Sequence, residues 1–373
     1  MIKTSYDKND VTVLLKDLSS VMTELSTEER ERLIQSGVHY SEMLPQEKAP
    51  SPEYEALYER ALNDKDMEIA NNIKRVSEIL IDELKGNKPV IVSLARAGIP
   101  VGILMKRYIK EIFKVDVTHY AISIIRDKGI DVNAMEYIYH KEVEENGVPV
   151  EDIFFVDGWT GKGAIKSQLT QSVNKLKHMD SKWEELRDDL YVLADPANIT
   201  PFRGTDKDYL LPTACLNSTV CGLISRTILN KYVDIASGDF HGAVYFNKFE
   251  GIDKSVDFIN KVSKQFKGMK PSEKEVEKDV LDTKWTGMSI VEKLCKEFDI
   301  NDMKKVKPGI GETTRVLLRR VPWKVLVNTN IEMSDKDIEH IVLLCREKNV
   351  PIERYELGNY KVCGIVKELS ADA

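Results

Sequence analysis

The most constraining feature of this sequence is a series of short apolar runs that alternate with helical segments. The runs are Pro89–Leu94, the strand-like Val115–Ile125, Ile153–Val156 and Tyr191–Ala194, and the helical segments include Val101–Phe113 and Gly163–Met179. Continuous apolar runs of this length are typical of strands that are buried on both faces. We therefore predict an α/β fold with a parallel sheet that helices cover on both faces, and ligands at the carboxyl ends of its strands.

The 373-residue length requires more than one domain, and charge marks the boundary. The stretch Lys264–Lys284 is highly charged, contains Gly268 and Pro271, and has no sustained apolar stripe. The predicted units, in chain order, are a helical N-terminal extension packed on the main domain (1–85), the main domain (86–265), a charged linker (266–284) and a small C-terminal domain (285–373).

Composition excludes several classes of protein. No apolar run approaches the ~20 residues of a membrane-spanning helix, and the first residues lack the apolar centre of a secretory signal. Five cysteines without regular spacing argue against a disulfide framework or a zinc ribbon. We expect a cytoplasmic protein with no membrane contact. Its net charge is −7, yet the segment Met303–Lys324 carries +6, which indicates a local anionic partner or a solvated helix face.

The third apolar run leads into a turn that could bind an anion. Asp157 and Gly158 follow the run, and the turn into the next helix consists of Thr160, Gly161, Lys162 and Gly163. Glycines allow a backbone to wrap an anion at a helix N-terminus. The spacing matches neither a Walker A loop nor GxGxxG. The simpler alternative is an ordinary strand-to-helix turn.

Three segments resemble parts of type I phosphoribosyltransferases. The stretch around Asp157 resembles their 5-phosphoribosyl-diphosphate (PRPP) motif, except that Gly158 replaces its second acidic residue. The loop Ser93, Ala95, Arg96, Ala97 and Gly98 resembles their diphosphate loop. The segment with Arg126 and Lys128 resembles the basic loop that closes over PRPP.

A wider resemblance covers nearly the whole chain. The segments that carry it are HYSEML (39–44), SLARAGIPVG (93–102), ISIIRDKGID (122–131), VDGWTGKGAI (156–165) and LPTACLNSTVCGLISRT (211–227). They resemble a bacterial family associated with tellurite resistance and stress response. Its members are described both as phosphoribosyltransferase-like proteins and as StiP cysteine proteases, and they end in a Pelota RNA-binding domain.

The phosphoribosyltransferase side of this resemblance implies an enzyme that transfers a ribosyl group from PRPP, or a related phosphorylated ribose metabolite, to an unknown acceptor. It implies that Asp157, Arg126 and Lys128 act in catalysis and that Mg²⁺ neutralises the diphosphate. The implied substrate-binding residues are Ser93, Ala95, Arg96, Ala97, Gly98, Gly158, Thr160, Gly161, Lys162, Gly163 and Asp195.

Two other functions stay open. A cysteine protease would use Cys215 as nucleophile, with His241 as base and Asp239 or Asn217 to orient it, because a thiol needs a base to become a thiolate. The sequence favours a buried structural role for Cys215. The third function is a non-catalytic ribonucleotide or RNA sensor. Gly158 favours it, because the second carboxylate of the PRPP motif is missing there.

The C-terminal domain contains a glycine turn that enters a basic helix. Its α/β/α order resembles the Pelota and kink-turn-binding ribosomal-protein fold, and the resemblance implies RNA contacts through the turn and the helix N-terminus. The implied RNA-binding residues are Gly309, Gly311, Glu312, Thr313, Arg315 and Arg319. The sequence leaves the oligomeric state open and is compatible with an oligomer.

Overall fold

A computed structural model describes residues 1–274, 276, 278, 284–319 and 321–366, with only the backbone of Arg319. The strands of the main domain are β1 (Thr12–Val13), β2 (Lys16–Asp17), β3 (Glu24–Leu25), β4 (Leu44–Pro45), β5 (Val90–Ala95), β6 (Thr118–Ile125), β7 (Gly129–Ile130), β8 (Ile153–Trp159), β9 (Leu190–Ala194), β10 (Arg203–Thr205) and β11 (Gly242–Ala243). Its helices are α1 (Thr27–Gln35), α2 (Pro52–Glu83), α3 (Gly98–Ile112), α4 (Val132–Ile138), α5 (Ala164–Met179), α6 (Pro212–Cys215) and α7 (Ser255–Lys264).

The central sheet is parallel, as predicted. Its strand order is β1-β6-β5-β8-β9-β10, and β7 pairs antiparallel with β6. Side chains alternate between two apolar clusters along each central strand: in β8, Phe154 and Val156 belong to one, and Ile153 and Phe155 to the other. Helices α2, α3 and α7 line the first cluster, and α4 and α5 line the second. The predicted α/β fold with helices on both faces is confirmed.

The N-terminal 85 residues differ from the helical extension that we predicted. The long helix α2 is present, but β1 is an edge strand of the central sheet, β2 pairs with β11, and β3 pairs with β4. These strands have two residues each, too few to produce a period-2 pattern in the sequence. The N-terminal 85 residues are therefore part of the main domain, because β1 and β2 pair with its strands.

The predicted linker is not simply a solvated connector. Phe266 is fully buried, with its ring 5.4 Å from that of Tyr108. The Ser272 hydroxyl donates a hydrogen bond of 2.7 Å to Glu78 on α2. The described part of the linker thus packs along the main domain. The rest of the predicted linker lies outside the described residues.

The C-terminal domain packs three helices against a second sheet. Its elements are α8 (Thr286–Glu297), β12 (Val306–Pro308), α9 (Ile310–Arg319), β13 (Lys324–Asn328), α10 (Glu339–Glu347), β14 (Ile352–Tyr355) and β15 (Val362–Ile365), and its strand order is β12-β15-β13-β14. A short 3₁₀ turn, Met303–Lys305, precedes β12. Ile310 and Leu317 of α9 belong to the same apolar cluster as the main domain, so the two domains share a core. None of the described helices has the length and apolar character that a membrane crossing requires.

Candidate active site

The carboxyl edge of the central sheet, where the α/β fold predicts ligands, gathers charged side chains from both domains. Arg96 follows β5, and Asp157 and Trp159 are among the last three residues of β8. Arg315 reaches the same edge from α9. Cys215 ends the short helix α6, whose residue Ala214 lies against α9. The site is therefore composite.

Asp157 lies within β8 and not at its end, because pairing with β9 continues through Trp159. Its side chain is 8% exposed and accepts a 2.7 Å hydrogen bond from the N–H of Gly158. Burial raises the pKa of Asp157 to about 7, and the nearby Arg315 guanidinium opposes this rise. A Cβ atom at Gly158 would lie 3.1 Å from the Ala97 carbonyl oxygen, so a carboxylate side chain there would crowd the neighbouring loop.

Asp195 is a structural anchor. The Thr160 hydroxyl donates to one of its oxygens, and the N–H groups of Ile199 and Thr200 donate to the other at 2.7 and 2.9 Å. The guanidinium of Arg203 lies 3.3 Å from the same oxygen. Both oxygens of Asp195 therefore bond to protein groups near the ends of β8, β9 and β10. We predicted that Asp195 would contact the substrate, but its contacts here hold these strand ends together.

The turn predicted to bind phosphate is covered by the C-terminal domain. The Tyr360 hydroxyl donates to the Gly161 carbonyl, and Lys162 Nζ donates to the carbonyls of Met303 and Val306 at 2.8 and 2.9 Å. Gly163, with φ of 86°, is the N-cap of α5, and a Cβ there would lie 2.4 Å from the Trp285 ring. The N-terminus of α5 is thus occupied by protein.

The loop Ser93–Gly98 also makes packing contacts. Ser93 is fully buried, and its hydroxyl donates to the Gly98 carbonyl at 3.0 Å and lies 2.8 Å from His119 Nε2. A Cβ at Gly98 would lie 2.3 Å from the Val156 carbonyl oxygen, so glycine allows α3 to approach β8. Ala95 is the last residue of β5, and Ala97 lies against Gly158. Arg96 donates to the Ile224 carbonyl at 3.0 Å.

The segment predicted to close over PRPP is a tight hairpin. Ile125 pairs with Gly129, so Arg126, Asp127 and Lys128 form only its tip, and all three are exposed. The Asp127 N–H donates to Gln168 of α5 at 2.7 Å. Because the tip is this short, it lacks the length of a closing loop.

Cys215, His241 and Asp239 are not brought together. His241 Nδ1 lies 2.9 Å from the Ser123 hydroxyl, and the His241 backbone N–H donates to Asp131. Asp239 instead pairs with Lys16. No described histidine forms a hydrogen bond with Cys215. Burial lowers the pKa of His241, against the opposing effect of the Asp131 carboxylate, and the ring is held by its contact with Ser123.

Cys215 has a positive electrostatic environment although it is buried. Burial raises the pKa of its thiol to about 12, while the guanidinium groups of Arg315 and Arg60 act in the opposite direction. Burial also raises the pKa of Cys221; Arg96 and Arg315 oppose this rise, whereas Glu47 and Asp253 add to it. In the part of the chain that the structure describes, the charged groups that act on the Cys215 thiol are therefore cations, and those that act on the Cys221 thiol have both signs.

Helix α9 of the C-terminal domain covers Cys215. A Cβ at Gly311 would lie 3.4 Å from the Ala214 side chain, and Arg315, one turn further along, lies over the Trp159 ring at 4.7 Å. The buried Arg315 Nε has no hydrogen-bond partner among the described residues. Between α9 and the main domain remains a cavity of about 20 Å³, room for about one water molecule.

The turn predicted to bind RNA faces this interface. Asp208 of the main domain accepts hydrogen bonds of 2.9 Å from the backbone N–H groups of Ile310 and Lys361, and lies near Gly309. Thr313 is fully buried, with its hydroxyl donating to Lys307 and accepting from Gly364. Glu312 lies 4.0 Å from the Lys307 ammonium. The predicted side-chain contact of Arg319 falls outside the described atoms.

Sequence reasoning missed three residues of this site. Arg60, near Cys215, lies in the first third of α2, and Asp208 lies in an irregular segment after β10. Trp159, on which Arg315 stacks, stood within the turn motif but was not assigned a role. Neither Arg60 nor Asp208 belongs to a motif, so only the three-dimensional contacts reveal them.

The residues do not form a metal centre. Within the described parts of the chain, no group of three or more His, Cys, Asp and Glu side chains is placed to hold a metal ion. Asp157 lies next to a guanidinium, not next to a second carboxylate. The Mg²⁺ that we expected together with PRPP is part of the transferase prediction, and no observation tests its binding separately.

Comparison with known proteins shows two family matches. Residues 4–263 match the family described as "Tellurite-like stress resistance cysteine protease StiP". Residues 285–368 match the PELOTA RNA binding domain. A similar curated protein is "Cysteine protease StiP" of Acinetobacter baylyi, which is 32% identical over 378 residues, covering 98% of this chain and 94% of that protein.

These matches overturn the main functional prediction. The chain was predicted to be a phosphoribosyltransferase that uses PRPP and magnesium, whereas both the family and the curated relative are cysteine proteases. The transferase prediction is wrong, and the structure agrees in one physical respect: the C-terminal domain fills the turn that would have bound phosphate. The predicted Pelota domain is confirmed, as is the resemblance to the StiP family.

Proposed function

We propose that this chain, which belongs to the StiP family of stress resistance cysteine proteases, hydrolyses peptide bonds with Cys215 as its nucleophile. The observation that carries the proposal is the family match over residues 4–263, which contain Cys215 and Cys221. The choice between these two cysteines rests on charge. Among the described residues, the charges that act on Cys215 are those of Arg315 and Arg60, whereas Cys221 also has Glu47 and Asp253 nearby, and cations favour a thiolate.

The chemistry follows the general course of thiol proteases. The Cys215 thiol first loses its proton to water, and the thiolate attacks the carbonyl carbon of the scissile peptide bond. The C–N bond then breaks as the leaving amine takes a proton from water, and a further water hydrolyses the thioester, which releases the carboxylic acid and restores the thiol. Arg60, which belongs to α2 of the main domain, would stabilise the negative charge on sulfur before the attack, whereas Arg315 is carried on α9 and acts on the thiol only while α9 covers it. His241 has no part in this scheme, because its ring nitrogen contacts Ser123.

Access to the thiol requires a movement of α9. The cavity beside α6 holds about one water molecule, so a peptide cannot reach Cys215 while Gly311 lies against Ala214. We therefore regard this arrangement as the latent form of the protease, which exchanges with a minor open form that cleaves the substrate. Separation of α9 from α6 would expose the thiol and lower its pKa by hydrating it.

The test is a comparison of single cysteine variants in a peptidase assay. Cleavage of unfolded casein should be abolished in Cys215→Ala and retained in Cys221→Ala and in Cys345→Ala, which lies in α10 of the C-terminal domain. Circular dichroism should show that all three variants are folded. Loss of activity in Cys221→Ala alone would transfer the nucleophile to that residue, and full activity in every variant would exclude a cysteine mechanism.

Further proposals concern RNA, location and fold. The Pelota match supports RNA binding by the C-terminal domain. A cytoplasmic location is supported by the five free cysteines, since oxidising compartments favour disulfides. The strand order of the central sheet supports a type I phosphoribosyltransferase-like fold for the main domain. This proposal concerns the fold and not the activity.

A further inference from the structure

We propose that RNA binds across the seam between the two domains, on a cationic patch to which the main domain contributes as much as the C-terminal domain. The patch, called the seam patch below, consists of Arg126, Lys128, Lys162, Lys304, Lys305 and Lys307. The inference rests on the proposed RNA binding of the C-terminal domain and adds a surface that the family match to residues 285–368 does not include.

Lys162 fixes the geometry of the seam patch. Its ammonium, from the main domain, bonds to the carbonyls of Met303 and Val306, which flank Lys304 and Lys305. Lys307 follows Val306 directly. The seam patch is therefore continuous from the turn after β8 to the start of β12.

The exposed hairpin tip extends the patch on the side of the main domain. Asp127 is tied to Gln168 of α5, six residues after Lys162, so Arg126 and Lys128 lie beside the first turns of that helix. The side chains of Arg126 and Lys128 are exposed. They can therefore reach a phosphate without any change in the packing of the domains.

The seam patch contains carboxylates as well as cations. Asp127 and Asp302 adjoin it in the sequence, and the Glu312 carboxylate lies 4.0 Å from the Lys307 ammonium. Burial, then the like charges of Lys307 and Arg126, lower the pKa of Lys162 to about 8. A bound polyanion would relieve the repulsion between these neighbouring cations. The match of the C-terminal domain to an RNA-binding family indicates that the polyanion is the sugar–phosphate backbone of RNA.

The experiment measures how the full chain binds a fluorescein-labelled single-stranded RNA as a function of salt concentration. The test variant is Arg126→Gln with Lys128→Gln, which removes two exposed charges from the main domain. The matched control is Lys175→Gln with Lys177→Gln, which removes two charges from the far end of α5. Lys162 is left intact, since its bonds help to hold the domains together.

We expect the test variant to bind RNA roughly tenfold more weakly at low salt, with a log–log salt slope that is less steep by about 1.4, the value for two phosphate contacts on a single strand. The control should match the wild type. If the wild type binds but the test variant does so equally well, or if both double variants weaken equally, the seam patch is not the RNA surface. If the wild type does not bind at all, the proposed RNA binding itself fails.

Discussion

Two buried polar clusters lie at the carboxyl edge of the same sheet, and they differ in how fully their hydrogen bonds are satisfied. In the first, His241 bonds to Ser123 and to Asp131, and Asp131 also accepts from the Ala134 N–H at the start of α4. In the second, Asp157 accepts one bond, from its own neighbour, and Arg315 Nε has no described partner. The first cluster lies within one domain, and the second lies between two.

The difference indicates which cluster is structural. Folding favours buried polar groups whose bonds are complete, because each unpaired group costs about 1–3 kcal/mol. The His241 cluster meets this condition. The cluster around Asp157, Arg315 and Cys215 does not, and such local conflict is expected where a site must change partners during function. His241, which the sequence suggested as a catalytic base, therefore lies in the cluster whose hydrogen bonds are complete and not in the cluster around Cys215.

The largest expected effect comes from separating α9 from α6. In Gly311→Leu, the added side chain would collide with Ala214 and Trp159, since a Cβ alone already lies 3.4–3.5 Å from both. We expect iodoacetamide to label Cys215 at least about tenfold faster at pH 8 than in the wild type, because hydration lowers the thiol pKa. Mass spectrometry of the labelled peptides measures the rate.

The matched control is Gly251→Leu, since a Cβ at Gly251 has no atom within 4 Å. Cys345 and Cys363 provide an internal reference in the C-terminal domain and should stay slow. If Gly311→Leu leaves the labelling of Cys215 unchanged while the variant is folded, α9 is not what protects the thiol, and the latent form would have to be abandoned.

The wild-type protein should show the buried thiol directly in its pH profile. Burial raises the pKa of Cys215 to about 12. Only the thiolate reacts, so the labelling rate should rise about tenfold per pH unit between pH 8 and pH 10 without reaching a plateau. A plateau near pH 8 would mean that the guanidinium groups of Arg315 and Arg60 outweigh burial, and that the thiol is already activated.

The sequence predicted the fold better than the site, for a physical reason. Strands β5, β6, β8 and β9 are buried and mainly apolar, and the alternation of such strands with helices is typical of a parallel sheet. The strands β1 to β4 were missed because two residues carry no period. Cys215 was a candidate from the start, but Arg60 and Arg315 approach it from distant segments, and no spacing in the sequence encodes that contact.

The functional prediction was wrong partly because a glycine at a strand-to-helix turn has two explanations: it can make room for a bound phosphate or for another part of the protein. Gly98 and Gly163 resemble glycines that admit a phosphate, yet here they admit the Val156 carbonyl and the Trp285 ring. The sequence shows that a close approach occurs, but not which group approaches. The structure distinguishes the two causes: the group that approaches Gly98 belongs to β8 of the main domain, and the group that approaches Gly163 belongs to the C-terminal domain.

Asp157→Asn tests the less satisfied cluster through stability. Burial raises the pKa of Asp157 from its ordinary value of 3.8 to about 7. Between these values the folded state binds more protons than the unfolded state, so the wild type loses stability as pH rises, and the loss is complete above pH 7. Asparagine cannot ionise. The free energy of unfolding of the variant relative to wild type should therefore increase by about 2–4 kcal/mol from pH 4 to pH 8. Urea titrations at both pH values measure it, and a difference independent of pH would mean that Asp157 is ionised in the folded protein.

The smallest effect should come from the satisfied cluster. In His241→Asn, the amide can keep the bond to Ser123, and the backbone N–H of residue 241 still donates to Asp131, so we expect the free energy of unfolding to fall by only about 1 kcal/mol. Cleavage of casein should stay within about twofold of the wild type, because no step of the proposed chemistry uses the imidazole. His119→Asn is a suitable companion, since His119 makes the same kind of contact with Ser93. Loss of activity in a stable His241→Asn, with activity kept in His119→Asn, would restore His241 as the base and would require a rearrangement that brings it to Cys215.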